Sequence, residues 1–582
     1  PRQLPPLLPL SCLPSIRPRL TLPRSIAFTP SRESAMLIDM IHDNHGEPPF
    51  KTRYRDPAAL QARGYQAIVI PDALAHIPAA YPTGLRQPST INTQDPAAIE
   101  AEINTRVQAA LALNMQVFFY ADALLLPRHI VEKNPAAYLC EDNSGRLCAA
   151  KPAVLAALAD QVHELFDRWP AASGLIMRTV EVYPEATPHM IGSPLHASNC
   201  PLCRAVSLMD RLTGFIRAMY DVVVGELKKS YIHRAWQPSI ANLPNMHDDP
   251  EAYRQISSRL PQSPDLAFSF KFTRGDFLNG QRFNPCLLAD DRPKWIEFQC
   301  EREYEGKGAF PNFQPPVWQQ FLTQLARDAG AAEFSELHKR FNFWGWSRGG
   351  GWGGPYVQRE EWIDANVYGL SQLYKSADAA MQDIAASWIA ATFGVAESSP
   401  QSPAIAELLM LSAPTIRKLL YVSGVASENM PWLKDDLLDV NAIWASAMQV
   451  LDAGNAEEAI AEKRAAHEGA ERIRHLFDLA APGLPNQSQT KALSNSLAYY
   501  SSFAGSVVSL FIGFIRFAQW HRGGRTDSAL ATEATDLLEH AQAHWQHHTQ
   551  RHALLAGAPS VFQENTLWDR TNDCLEQLQN AE

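Results

Sequence analysis

Eight short apolar runs, each followed by a longer amphipathic stretch, limit what this chain can fold into more than any other feature of it. They span Met36 to Ile41, Tyr65 to Ile70, Met115 to Tyr120, Gly174 to Met177, Tyr231 to Trp236, Leu266 to Phe272, Trp295 to Cys300 and Phe341 to Trp346. Strands that alternate with helical segments pair in parallel, because each crossover returns the chain to the same end of the sheet. Eight such units in succession predict an α/β fold, a (β/α)8 TIM barrel, over residues 36–400. An open doubly wound sheet would begin with a glycine-rich phosphate loop. The first turn here reads His42-Asp43-Asn44-His45-Gly46-Glu47, which is polar but lacks that fingerprint.

Beyond the last run, Trp362, Val367, Leu370 and Leu373 recur at helical spacing, as helices covering the barrel would. From about Pro403 the chain becomes rich in Ala, Leu, Glu and Gln, with turn signals at Ser423-Gly424, Ala481 to Pro485 and Gly523-Gly524. Residues 401–582 are therefore expected to form an α-helical C-terminal domain. Its run Val507 to Ile515 is broken by Ser509 and Gly513 and closed by Arg516, which reads as a buried helix and not a bilayer span. Residues 1–35, rich in Pro, Arg and Leu with Glu33 the one acid, are read as a leader or disordered segment. A net charge of −11 with no basic stripe excludes sequence-independent nucleic-acid binding, and no membrane partner is expected. Eight cysteines are too sparse in 582 residues for a disulfide framework. The reading favours a reduced, cytoplasmic protein without a clear signal peptide.

In a barrel of this kind the chemistry sits at the C-terminal ends of the strands. The fourth run ends in Arg178 and Glu181, the sixth in Lys271 and Asp276, and the seventh in Glu297, Gln299, Glu301 and Glu303. Carboxylates thus converge on one mouth from three strands. Cleaving a glycosidic bond requires one carboxylic acid to protonate the leaving oxygen and another carboxylate to activate water or attack the sugar. Acids that share a desolvated cleft can divide these roles, since burial and a neighbouring charge drive their proton affinities apart. Tyr120 and Asp122 after the third run, and Asp43 and Asn44 after the first, also point to the mouth as candidate sugar contacts.

The stretch from Lys271 to Tyr304 resembles the α-glucuronidases that remove glucuronic acid from xylan side chains. Their motif runs lysine, four residues, Asp-Phe, then Glu-Phe-Gln and Glu-Tyr; here these are Lys271, Asp276-Phe277, Glu297-Phe298-Gln299 and Glu303-Tyr304. His233-Arg234-Ala235-Trp236 is similar to the family's Trp-Arg-Ala-Phe strand. The resemblance covers the barrel and the helices that follow it. It implies an exo-acting, inverting hydrolase in which Glu181 is the acid and Asp276 and Glu303 hold the attacking water. It also implies that Arg178, Arg234 and Lys271 bind the uronate, with Trp236 and Tyr120 as further substrate contacts. The partner implied is an anionic oligosaccharide, no cofactor or metal is required, and the helical domain is a candidate homodimer surface by the same analogy. The family's acid lies in a Lys-x-x-x-Glu-Gly segment, whereas here Arg178 and Glu181 are one residue closer and no glycine follows, so Glu185 is a rival for the role. No counterpart of the family's N-terminal sandwich precedes the first run. A glycosidase acting on a neutral terminal sugar and a non-catalytic carbohydrate-binding protein remain as alternatives.

Three other features fall outside this scheme. Cys200-Pro201-Leu202-Cys203 with His189 and His196 nearby could hold zinc or form a disulfide, but one pair more often simply packs. His540, His544, His547, His548 and His552 recur along one helix, where a solvated face is the ordinary outcome. The loop Arg348 to Pro355 is glycine-rich without the lysine and hydroxyl of a phosphate loop. With Trp344, Trp346 and Trp352 it reads as either a sugar-binding wall or an edge of the core.

Overall fold

The computed structural model describes residues 35–43, 51–77, 80, 96–179, 181, 189–195, 200–237, 245–349, 360–425, 432–434, 437–553 and 568–580. The chain divides into two units, Pro1–Ser34 and Ala35–Glu582. The first holds nearly all of the expected leader and lies outside the described residues.

All eight apolar runs form strands. They are β1 (Leu37–Ile41), β2 (Ala67–Ile70), β3 (Gln116–Asp122), β4 (Gly174–Arg178), β5 (Ser230–Arg234), β6 (Leu266–Lys271), β7 (Lys294–Gln299) and β8 (Phe341–Arg348). Each pairs in parallel with its neighbours in this order, and β8 closes on β1. Apart from Gln116, Ser230 and Asn342, every strand residue is buried. Helices cover the outside and side chains fill the inside, so neither face of a strand meets water and the strands read as unbroken apolar runs.

Polar residues enter where the strands end. Register pairs Asp122 with Arg178, Arg178 with Arg234, Arg234 with Ser269, and Lys271 with Glu297. Laterally paired residues in a parallel sheet point to the same face, so these groups line the interior near the C-terminal mouth. The chain makes long excursions after β3 and after β4, and these meet in an antiparallel ribbon of Leu125–Pro127 with Met190–Gly192.

Helices Glu361–Lys375 and Met381–Phe393 follow the barrel, and Ser402–Leu420, Val440–Asp452, Ala456–Ala480, Gln487–Arg522, Ser528–Ala553 and Asp569–Gln579 come after them. Each expected turn falls between two of these. Asp364 is fully buried and accepts hydrogen bonds from Tyr54, from Arg63 at 2.8 Å and from Trp388 Nε1 at 2.9 Å, which clamps the first of these helices to the barrel's outer layer. Phe310, in the loop after β7, stacks on Tyr500 with ring centroids 4.6 Å apart. The run around Val507 belongs to a 36-residue helix, longer than its sequence breaks suggested. That helix is long and apolar enough to cross a bilayer, yet 78% of its most apolar stretch is buried against other parts of the protein.

Candidate active site

Three cation–carboxylate pairs and two further acids, Glu181 and Glu303, line the mouth. Arg178, at the end of β4, grips Asp122 at the end of β3 through Nε and Nη2, both at 2.8 Å. Its Nη1 also donates to Glu181 Oε2, the same oxygen that accepts from Trp236 Nε1 at 2.8 Å. Tyr120 is buried beneath this pair and spends its hydroxyl on Asp122 Oδ1 at 3.1 Å. Burial pushes the Asp122 carboxyl up, and Arg178 offsets this only in part.

Arg234, at the end of β5, is bound to Glu297 of β7: Nε lies 3.1 and 3.0 Å from its two carboxylate oxygens. Ser269 Oγ donates to the same carboxylate at 2.8 Å. The guanidinium also lies over Trp346, 4.7 Å from the ring centroid, and Trp346 stacks on Trp344 at 5.4 Å. Both indoles are buried, and their N–H groups have no hydrogen-bond partner among the described residues.

Lys271, at the end of β6, places its ammonium 2.5 Å from Asp276 Oδ1, 3.3 Å from the centre of the Trp236 ring and 4.5 Å from that of Phe277. Burial alone would raise the Asp276 carboxyl. Lys271, the Phe277 N–H at 2.8 Å and a hydrogen bond with Glu303 outweigh it and hold Asp276 below its ordinary range. Asp276 and Glu303 are therefore near neighbours whose carboxyl groups face each other. Glu303 is presented by a tight loop in which Arg302 and Lys307 take left-handed backbone angles (φ 64° and 48°), and its N–H is fixed to Gln299 Oε1 at 3.0 Å. Such conformations persist only where the surroundings impose them. Here Glu305 does so: wholly buried, it accepts from Arg302 at 2.7 Å, from Asn279 and Asn312 at 2.9 Å each, and from Tyr421 of the helical region at 2.5 Å.

The structure therefore brings Glu181, Asp276, Glu303, Arg178, Arg234, Lys271, Trp236 and Tyr120 to one mouth. Glu185, Asn44, His196 and Trp352 lie outside the described residues. Asp43 is paired with Arg55 at 2.5 Å. Gly349, which opens the glycine-rich loop, has φ 118°, and a Cβ there would come within 2.6 Å of the His42 carbonyl; its N–H is held by Glu301 at 2.5 Å.

Some features were not anticipated. His42, after β1, lies 3.5 Å from Asp72, after β2, with both side chains partly exposed. Burial alone would lower the imidazole and raise the carboxyl, but their pairing reverses both shifts. The signal in sequence was only a polar residue after each strand. Asp39, inside β1, is bound by Ser347 through N at 3.0 Å and Oγ at 2.6 Å, and burial pushes it up to about 8. In the histidine run His540 and His547 are exposed, as a solvated face would have them, but His548 turns inward because the helix packs on the long core helix. His548 is buried against the tilted rings of Tyr499 and Trp545, and His544 bonds Ser506 Oγ at 2.9 Å. Cys200 and Cys203 are not an isolated pair: Cys140 and Cys148 join them, and this foursome is the metal-competent cluster found among the described residues. His189 bonds the Ala75 carbonyl instead.

No family model matches the sequence, and no curated protein resembles it significantly. Among solved structures it is similar to a GH138 enzyme targeting pectin rhamnogalacturonan II, with a TM-score of 0.61 and 10% identity over 94% of this chain and 67% of that one. A Thermobaculum terrenum O-GlcNAc hydrolase variant aligns over 94% of each chain at 10% identity and a TM-score of 0.44. The first likeness agrees with the barrel and its helical extension, and at this identity it speaks to the fold alone.

Proposed function

We propose that this protein is a glycoside hydrolase that releases a uronic acid from the end of an oligosaccharide with inversion, in the manner of the α-glucuronidases it resembles. The observation that carries the reading is the division of the acids. Asp276 and Glu303 are hydrogen-bonded to each other, while Glu181 stands apart from them across Trp236 and Lys271. Inversion needs such a division, with acid and base roughly 6.5 to 9.5 Å apart so that a water fits between base and sugar. In this scheme the water's oxygen attacks the anomeric carbon and its proton passes to the Asp276–Glu303 pair. The glycosidic C–O bond breaks as Glu181 gives its proton to the leaving oxygen. Both donors to Glu181 among the described residues fall on Oε2, and in this scheme Oε1 carries that proton. A substrate carboxylate that takes up Arg178 Nη1 would release Glu181 from its cationic partner. The GH138 structural relative, itself an enzyme acting on a pectic polysaccharide, agrees with the reaction class.

One observation favours a neutral sugar instead. Arg178, Arg234 and Lys271 each already face a protein carboxylate, Asp122, Glu297 and Asp276 respectively, so the charge a uronate would use is balanced. Incubation with uronate-tipped and neutral-tipped oligosaccharides, with early product anomers followed by proton NMR, separates the two. Uronic acid appearing first as the inverted anomer supports the proposal, and release of a neutral sugar alone supports the second reading. Binding without turnover makes the protein a carbohydrate-binding module, and neither binding nor turnover refutes both readings.

A further inference from the structure

Away from the mouth, Cys140, Cys148, Cys200 and Cys203 lie buried with all four sulfurs within 4.8 Å of one another. Cys148 Sγ is 3.5 Å from Cys203 Sγ and 3.9 Å from Cys200 Sγ. A disulfide holds its sulfurs about 2.05 Å apart, so these are four thiols. Four thiolates on a tetrahedral zinc ion, with Zn–S near 2.3 Å, stand about 3.8 Å from one another. The cage matches that size, and an iron–sulfur cluster, which places its own atoms between the cysteines, needs a wider one.

The backbone around the four has the form of two facing knuckles. Cys140 and Cys148 flank a tight turn closed by the Leu139–Leu147 bridge, with Cys140 N bonded to Arg146 O and Cys148 N to Tyr138 O, both at 2.8 Å. Asn143 and Gly145 supply the left-handed angles that the turn requires. Cys200 and Cys203 bracket the first turn of the helix Pro201–Arg204, and the N–H groups of Glu141, Leu202 and Cys203 are directed at the Cys200 sulfur. The foursome is separate from the main apolar core, with Ala150 packed against it. Four small side chains and one methyl group bury too little apolar surface to hold two loops together by themselves.

We propose that Cys140, Cys148, Cys200 and Cys203 bind one zinc ion in an all-thiolate tetrahedral site that fastens the excursion after β3 to the excursion after β4. Binding converts the thiols to thiolates and releases their protons to solvent. Four protein ligands leave no open position, so the ion is structural. Its place in the fold gives it a task. Leu147 N bonds Ser193 Oγ at 2.7 Å, Ser193 N bonds Leu124 O at 3.0 Å, and Leu195 N bonds Thr179 O at 3.0 Å. The ion therefore ties the two excursions together beside the Leu124–Ser193 end of the ribbon, the end at which Ala123 N bonds Arg178 O.

The test is elemental analysis of the wild-type protein after desalting, together with cobalt exchange. The expected result is one zinc per chain, released as a mercurial reacts with the four cluster thiols. Cobalt in its place should give thiolate-to-metal charge-transfer bands in the near ultraviolet and the intense visible bands of a tetrahedral site. Cys148→Ser and Cys203→Ser should each lose the metal and increase proteolysis or hydrogen exchange within residues 179–207. Should these variants fail to fold, the wild-type metal content and cobalt spectrum still decide. Metal-free protein with four reactive thiols, protein with two disulfides, iron in place of zinc, or zinc retained in both variants would each overturn the proposal.

Discussion

Replacing Glu297 by Gln removes the charge opposite Arg234 in the most enclosed part of the mouth. Glu297 is 0% exposed and Arg234 3%, so water cannot take over the guanidinium's solvation. Leaving one member of a buried pair uncompensated costs about 3–5 kcal/mol. The amide keeps one oxygen as an acceptor for Arg234 Nε or Ser269 Oγ, which returns about 1 kcal/mol. The Trp346 face already contributes in the wild type and adds nothing new, so the net loss is about 2–4 kcal/mol. Urea unfolding followed by tryptophan fluorescence and circular dichroism should show a lower midpoint with an unchanged slope. Arg234→Met combined with Glu297→Leu fills the same space without charge and should be more stable than Glu297→Gln. If Glu297→Gln unfolds within about 0.5 kcal/mol of the wild type, as an ordinary surface change would, the pair is not desolvated and the reasoning fails.

Other outcomes follow from single groups. Lys271, together with the Phe277 N–H and Glu303, outweighs burial and keeps Asp276 ionised below the usual carboxylate range, and that contribution is lost only as pH falls through the lowered value. In Lys271→Met burial prevails, and the acid limb of kcat/KM should move up by about one unit or more; an unmoved limb would contradict the assignment. Asp39, raised to about 8, keeps its proton in the folded state while the unfolded chain has lost it, so stability should fall as pH rises from roughly 4 to 8. Asp39→Asn should flatten that slope in urea midpoints taken at pH 5 and 8. Tyr421→Phe deletes a hydrogen bond to the buried Glu305 carboxylate and should cost about 1.5–3 kcal/mol, with faster hydrogen exchange across residues 300–312 and a lower kcat.

The strands were legible because a parallel barrel buries both faces of each one, so Ile68-Val69-Ile70 or Phe268 to Phe270 can only be interior. The mouth was legible in outline for the same reason, since Arg178, Lys271 and Asp276 come where the apolar runs stop. Which charge meets which was not. Arg178 finds Asp122 through lateral register, and Arg234 reaches Glu297 across the intervening β6 at Ser269, neither of which local spacing encodes. His42 and Asp72 meet for the same reason from two separate loops. Cys140 and Cys148 left a faint trace: Asp142-Asn143-Ser144-Gly145 between them is a turn sequence that brings the two cysteines side by side. Their meeting with Cys200 and Cys203 depends on how two loop excursions pack.

The central claim is that Glu181, Asp276 and Glu303 break a glycosidic bond at this mouth. Turnover of a uronate-tipped oligosaccharide by the wild type, Glu181→Gln and Glu303→Gln, with binding measured in parallel by calorimetry, tests it most directly. Each variant should lose about 10²- to 10⁴-fold in kcat while binding within a few-fold of the wild type. Either variant hydrolysing the substrate at the wild-type rate would contradict it.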